Sequence, residues 1–234
     1  MSGDANEGKQ LTRAIDGETY ARIPIRTRVV MPGDDIDAII DEYAASQVQP
    51  GDLLFVTEKI VAITQGRSYL VDEITPRPLA RFLSRYVVKT KYGIGLGMPE
   101  TMEMALRECG TPRIVFAAGV AAVTKLFGRR GDFYRIAGDK ARSIDGPTPH
   151  TIPPYNKAVV LGPTDPAGVA ARIHSRLIAG VEVAVVDIND IGGNILGSTL
   201  DRAGEQRLVR ILSDNPLGQG HQSTPLGIIR RSEA

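Results

Sequence analysis

The stretch VAVVDINDIGGNIL, residues 183–196, decides how the rest of the chain is read. It opens as a buried strand, an apolar run led by Val183, Ala184, Val185 and Val186. Its character then changes, with Asp187, Ile188, Asn189 and Asp190 followed by Gly192, Gly193 and Asn194. A turn alone needs only the glycines and one Asx residue. Two carboxylates and an amide beside paired glycines have a second use. Asp187, Asn189 and Asp190 are hard oxygen donors for a metal ion, the glycines admit a phosphate close to the backbone, and Asn194 can hydrogen-bond it. A site and a plain hairpin turn both fit these residues.

Working outward, IDAIIDEY carries Ile36, Ile39, Ile40 and Tyr43 at the spacing of an amphipathic helix, and LLFV (53–56) reads as a short buried strand. EKIVAITQ predicts a helix that ends at Gly66, and another helix starts at Pro78. PETMEMALREC opens with Pro99 at a first helical position and stops at Gly110. RIVFAAGVAAVTKLFG and DFYRIAG flank Gly128-Arg129-Arg130-Gly131 and predict a β-hairpin, whose long apolar strand would be an unprotected edge unless paired with a second chain. YARIPIRTRVV (20–30), KAVVLG (157–162) and PLGIIR (225–230) read as further strands, the first of them exposed. Asp165 followed by Pro166 starts a helix expected to run to Ala179, and RAGEQRLVRILS is the last helix. Hairpins mixed among alternating strands and helices indicate an α+β or mixed α/β fold with mixed sheets. Residues 1–19 are expected to form a disordered arm before one domain over 20–234, with two places, 66–78 and 144–157, where that domain could divide.

A chain of 234 residues with 42% hydrophobic and 24% charged residues can bury a sizeable core. The net charge of +1 gives no electrostatic reason to expect nucleic acid or an anionic membrane as partner. One cysteine, Cys109, cannot form an intrachain disulfide. With no apolar leader in MSGDANEGKQLTR, that points to a cytoplasmic protein. The sequence has no G-x-x-x-x-G-K-[ST] loop, no C-x-x-C or H-x-x-x-H spacing and no G-x-S-x-G elbow. A P-loop, a zinc site and a hydrolase triad are thereby disfavoured.

Three more polar loops follow apolar segments. In VTEKIVAITQGR, Lys59 stands just past a strand and could meet a phosphate, although a solvated lysine in a strand-to-helix turn reads the same way. In YRIAGDKARSIDG, Asp139 could ligate magnesium or manganese, or belong to a Gly-Asp turn. The segment SDNPLGQGHQSTPLGIIR carries Gln219, His221 and three glycines, suited to a lid, a substrate cradle or a connector.

Taken in order, PGDLLFVTEKIVAITQGR, IAGDKA, VAVVDIND and PLGQGHQSTPLGIIR resemble the F420-0:gamma-glutamyl ligases of deazaflavin biosynthesis, over roughly residues 20 to 230. The resemblance implies a mixed α/β ligase fold with an intertwined homodimer. It also implies a nucleotide-dependent amide ligase that uses GTP or ATP with Mg2+ or Mn2+ and acts on a small acceptor bearing a carboxylate or phosphate. By the same resemblance Lys59 and Asp187 would be catalytic. Lys59, Asn189, Gly192, Gly193 and Asn194 would hold the nucleotide, and Asp139, Asp187, Asp190 and Gln219 the metal. The chain departs from the family pattern at Ile188, in place of a threonine, and at Gln219, in place of a glutamate. Asp139 is displaced by one position, and no arginine follows the strand-end aspartate. A non-catalytic nucleotide- or metal-binding relative is the alternative those departures leave open.

Overall fold

The computed structural model describes residues 9–87, 95–129, 131–189, 192–216 and 222–232. The chain divides into two compact units, the first made of residues 1–66 and 163–234 and the second of residues 67–162.

The first unit is built on a six-stranded sheet. Its strands are β1 (Thr12–Ile15), β2 (Glu18–Ile25), β3 (Leu53–Thr57), β6 (Glu182–Asn189), β7 (Gly192–Ser198) and β8 (Leu226–Arg231), in the spatial order β1-β2-β8-β3-β6-β7. Only β3 and β6 run parallel; every other pairing is antiparallel. The chain joins that parallel pair by a long route through α2 (Glu58–Thr64), the whole second unit and α8 (Pro166–Arg176).

Alternation along the strands sorts the two faces. Phe55, Ala184, Val186 and Ile229 pack with Leu208, Ile211 and Leu212 of α9 (Arg202–Leu212). Leu54, Val56, Val183, Val185 and Ile228 point the other way and are fully buried; α2 and α8 pack against β3, β6 and β7. The α1 helix (Ile36–Tyr43) starts where the Asp35 carboxylate accepts the amide of Asp37 at 3.0 Å, and it buries Ile36, Ile39 and Ile40. Each such isoleucine contributes about 2 kcal/mol of burial. α9 starts in the same way, with Asp201 accepting from Gly204 N at 2.7 Å.

The second unit holds α3 (Pro78–Ser84), α4 (Pro99–Glu108), α5 (Thr111–Leu126), α6 (Asp132–Ala137), α7 (Asp139–Arg142) and a two-stranded ribbon of β4 (Ser68–Leu70) and β5 (Ala158–Val160). Its core gathers Leu96, Met102, Leu106, Ile114, Ala117, Ile144 and Val159. Glu103, 1% exposed, is held by Arg77 Nε at 3.0 Å, Arg77 N at 3.1 Å and Arg107 Nε at 2.8 Å.

Four expectations are corrected. The predicted β-hairpin at residues 113–138 is instead α5 and α6. Gly128 (φ 75°) and Gly131 (φ 89°) adopt the left-handed conformations that end one helix and begin the next. The exposed edge strand from which strand exchange between chains was inferred is therefore absent. Residues 12–15 of the expected disordered arm form β1, paired to β2 from Thr12↔Ala21 to Ile15↔Glu18. Segment 20–30 is not an exposed strand: β2 lies between β1 and β8 and buries Tyr20, Arg22 and Ile25. Finally, Gly192-Gly193-Asn194 is no turn; it opens strand β7. Among the described residues, no helix is long and apolar enough to cross a membrane.

Candidate functional site

The site is built at the end of the sheet where both parallel strands finish, the end at which sheets of this kind present ligands. Strand β3 pairs with β6 as far as Thr57↔Val186; beyond that pair Glu58 begins α2, while Asp187 continues β6. Asp187 in turn faces Asn194 across the β6–β7 ladder. The alternation that directs Val186 and Ile188 toward α9 directs Asp187 to the opposite face, which carries α2. Glu58, Asp187 and Asn194 thus bring oxygen-bearing side chains to this end of the sheet, Asp187 and Asn194 on paired strands and Glu58 in the first turn of α2. The Oε2 atom of Glu58 is closed off from solvent, Asp187 is half-buried and Asn194 is exposed. Lys59 is the second residue of α2, half-buried, and sits directly after Glu58.

Of the residues the sequence singled out, the structure brings Asp187 and Asn194 together and sets Lys59 at the adjoining start of α2. Asn189 is paired with Gly192, at the tip of the same ladder. A Cβ on Gly193 would come within 2.4 Å of Ile188 Cδ1, the movable end of its cross-strand neighbour on the α9 side. Asp139 belongs to the second unit. It starts α7, is strongly exposed and lies 3.3 Å from Arg142 Nη1. Asp190 and Gln219 lie outside the described residues. Arg67, closing VTEKIVAITQGR, is structural within the second unit, with Nη2 2.8 Å from Glu108 Oε1 and Nε 2.6 Å from Gly162 O.

Glu58 is the residue that sequence reasoning passed over. Its signal was only that it precedes Lys59; its place at the end of the β3–β6 pair depends on the pairing of strands about 130 positions apart.

Among the described residues, no three carboxylate, imidazole or thiol side chains cluster as a ready-made metal cage. Two carboxylates at one end of the sheet, with the amide of Asn194 paired to one of them across the ladder, nevertheless suit a small hard cation. Magnesium is commonly held by one or two carboxylates plus the phosphates of a substrate. The remaining nucleophile candidates have structural explanations. Burial pushes the Cys109 thiol above its usual range, with Glu108 adding to the shift. His174 Nδ1 lies 2.8 Å from the carbonyl oxygen of Val181.

Comparison with known proteins bears on the same segments. Residues 24–199 match the family described as F420-0:Gamma-glutamyl ligase. A coenzyme F420:L-glutamate ligase from Methanopyrus kandleri is 29% identical over 168 residues, which cover 71% of this chain and 57% of that protein. The aligned part therefore amounts to little more than half the length of that relative. The family match runs from the end of β2 through Glu58, the second unit, Asp187 and Asn194, and stops before the segment that leads into β8. With about three quarters of its residues matched and the carboxylate row inside the matched region, the chain belongs to the F420-0:gamma-glutamyl ligase family.

Proposed function

We propose that the protein joins an amino acid, of which glutamate is the reference case, to the carboxylate of a small cofactor precursor in a nucleotide-dependent reaction. The observation that carries this reading is the Glu58–Asp187–Asn194 row at the carboxyl end of the β3–β6 pair in a member of this family. In such a reaction the terminal phosphoryl group passes from GTP or ATP to the acceptor carboxylate, giving an acyl phosphate and the nucleoside diphosphate. The amine nitrogen then attacks the acyl carbon, the C–O bond to phosphate breaks, and the amine proton is released.

Charge placement gives the residues their roles. Glu58, Asp187 and Asn194 would hold Mg2+ or Mn2+, with Asp190 and Gln219 as further expected ligands. When bound, the ion neutralises charge on the transferred phosphoryl oxygens. Lys59 adds a point charge for the same oxygens, and the first turn of α2 fixes where that charge sits. Asn189 and the Gly192–Gly193 backbone would border the nucleotide.

A homodimer is part of the proposal, now supported by α5 rather than by an edge strand. Phe116, Val123, Leu126 and Phe127 are 64%, 56%, 85% and 78% exposed. Together with Gly119, residues 116, 123 and 126 follow the alternating three- and four-residue spacing of a helix–helix seam. A contiguous apolar face of this size on one helix calls for a partner surface.

Calorimetric titration with GTP and with ATP, each with and without Mn2+, tests the reading. Metal-dependent binding of one nucleotide is expected, about tenfold or more weaker in Lys59→Ala, since a charge-assisted phosphate contact contributes about 1.5–3 kcal/mol. No binding by the wild type would discard the ligase reading in favour of a non-catalytic relative.

A further inference from the structure

Strand β2 carries a buried charge that the fold answers only in part. Arg22 is 1% exposed and pairs across the sheet with Ile229, so its side chain lies on the α9 face. There Nη1 donates to Ile211 O at 3.0 Å, near the end of α9, and to Asp214 Oδ1 at 2.5 Å, while Nη2 donates to Gln10 O. Nε is closed off from solvent and has no hydrogen-bond partner. A guanidinium taken out of water is costly unless both its charge and its N–H groups are met.

Asp214 does not meet that charge alone. The same Oδ1 atom lies 2.6 Å from Arg13 Nη1, so two arginines share one carboxylate. Both arginines line a cavity of about 350 Å3, together with Lys9 and Asp214. Three cations face one carboxylate there, which leaves two positive charges in excess among the described residues. The cavity follows β1, the edge strand, which β2 and β8 separate from β3. It opens on the α9 side of the sheet, the face that Asp187 points away from. None of its lining residues falls within the matched residues 24–199.

We propose that this cavity is a second anion site, taking a phosphate group held by Lys9 and Arg13 and backed by the buried charge of Arg22. A phosphate dianion matches the excess charge, and its oxygens accept charge-assisted hydrogen bonds from ammonium and guanidinium groups. The proposal does not depend on the ligase reading. Two sources supply such a group, free inorganic phosphate and the phosphomonoester of a small organic molecule.

The test titrates inorganic phosphate, glycerol 3-phosphate and acetate into the protein at constant ionic strength, without metal or nucleotide. The pH is about 8, where a phosphate group carries two charges. Wild type, Lys59→Ala, Lys9→Gln and the double variant Lys9→Gln with Arg13→Gln are compared by calorimetry and thermal unfolding. Arg22 is left in place because it ties α9 to the sheet. Wild type is expected to bind at least one phosphate ligand clearly more tightly than acetate, with a rise in Tm. Lys59→Ala should stay within about twofold of wild type, Lys9→Gln should bind about threefold or more weakly, and the double variant about tenfold or more weakly. Lys9 is exposed and makes no hydrogen bond or ion pair among the described residues, so its variant reads binding with the unliganded Tm unchanged. Tighter binding of inorganic phosphate identifies a free-anion site, and tighter binding of the ester a site for a phosphorylated small molecule. No binding by wild type, acetate binding as tightly as phosphate, or a loss in Lys59→Ala with none in Lys9→Gln would each overturn the proposal.

Discussion

Replacing Asp52 with alanine tests whether the register of the central strands is pinned where the structure shows it. Asp52 precedes β3, at the end opposite the carboxylate row, and is 2% exposed. Its Oδ1 accepts from Arg230 Nε at 2.8 Å, and its Oδ2 from Arg230 Nη2 at 2.7 Å and from the amide of Gln49 at 2.7 Å. Its backbone carbonyl accepts from Glu182 N at 3.0 Å, so β3, β6 and β8 meet at this residue. Removing one partner of a buried ion pair costs about 3–5 kcal/mol. Here the stranded Arg230 side chain is 29% exposed and can reach water, so the cost belongs at the lower end, about 3 kcal/mol. For a chain of this size that corresponds to a fall in Tm of about 6–12 °C. Urea unfolding followed by circular dichroism measures it directly. Asp52→Asn, which keeps two acceptor contacts, should lose clearly less. Replacing the pair together, as Asp52→Leu with Arg230→Met, should recover part of the loss. A cost below about 1 kcal/mol for Asp52→Ala would refute the pin.

Two further outcomes follow from the second unit. Burial pushes the Glu103 carboxyl upward, but hydrogen bonds from Arg107 and Arg77 outweigh it and hold the group below its ordinary value. The stability it adds is therefore full above about pH 4.5 and is lost as pH falls through the lower folded value, so Glu103→Gln should flatten the acid limb of a stability–pH profile. Phe116→Asp should convert a micromolar dimer to monomer in analytical ultracentrifugation with helix content unchanged. An unaltered dimer would place the interface elsewhere.

Much of the fold was legible from local signals. Proline at first helical positions marked α3, α4 and α8, apolar spacing marked α1, and unbroken apolar runs marked β3 and β6. RIVFAAGVAAV was misread because a run of small and β-branched residues carries no clear period, and two glycines three apart look like a hairpin turn. Length argued the other way, as α5 has 16 residues, beyond an ordinary strand. Asp187 was legible as a charge ending an apolar strand. Glu58 was not, because its place at the end of the β3–β6 pair comes from strands brought together from distant parts of the chain. Asp139 looked equivalent to Asp187 in sequence, yet starts a four-residue helix and is paired to Arg142.

The most direct test of the account is product formation by wild type, Asp187→Asn and Glu58→Gln. Each protein is incubated with F420-0, L-glutamate, GTP and Mn2+, and the glutamylated product is followed by mass spectrometry. The carboxylate row predicts turnover by wild type and a loss of about 100-fold or more in either variant, with Tm preserved. Turnover by Asp187→Asn at the wild-type rate would contradict it.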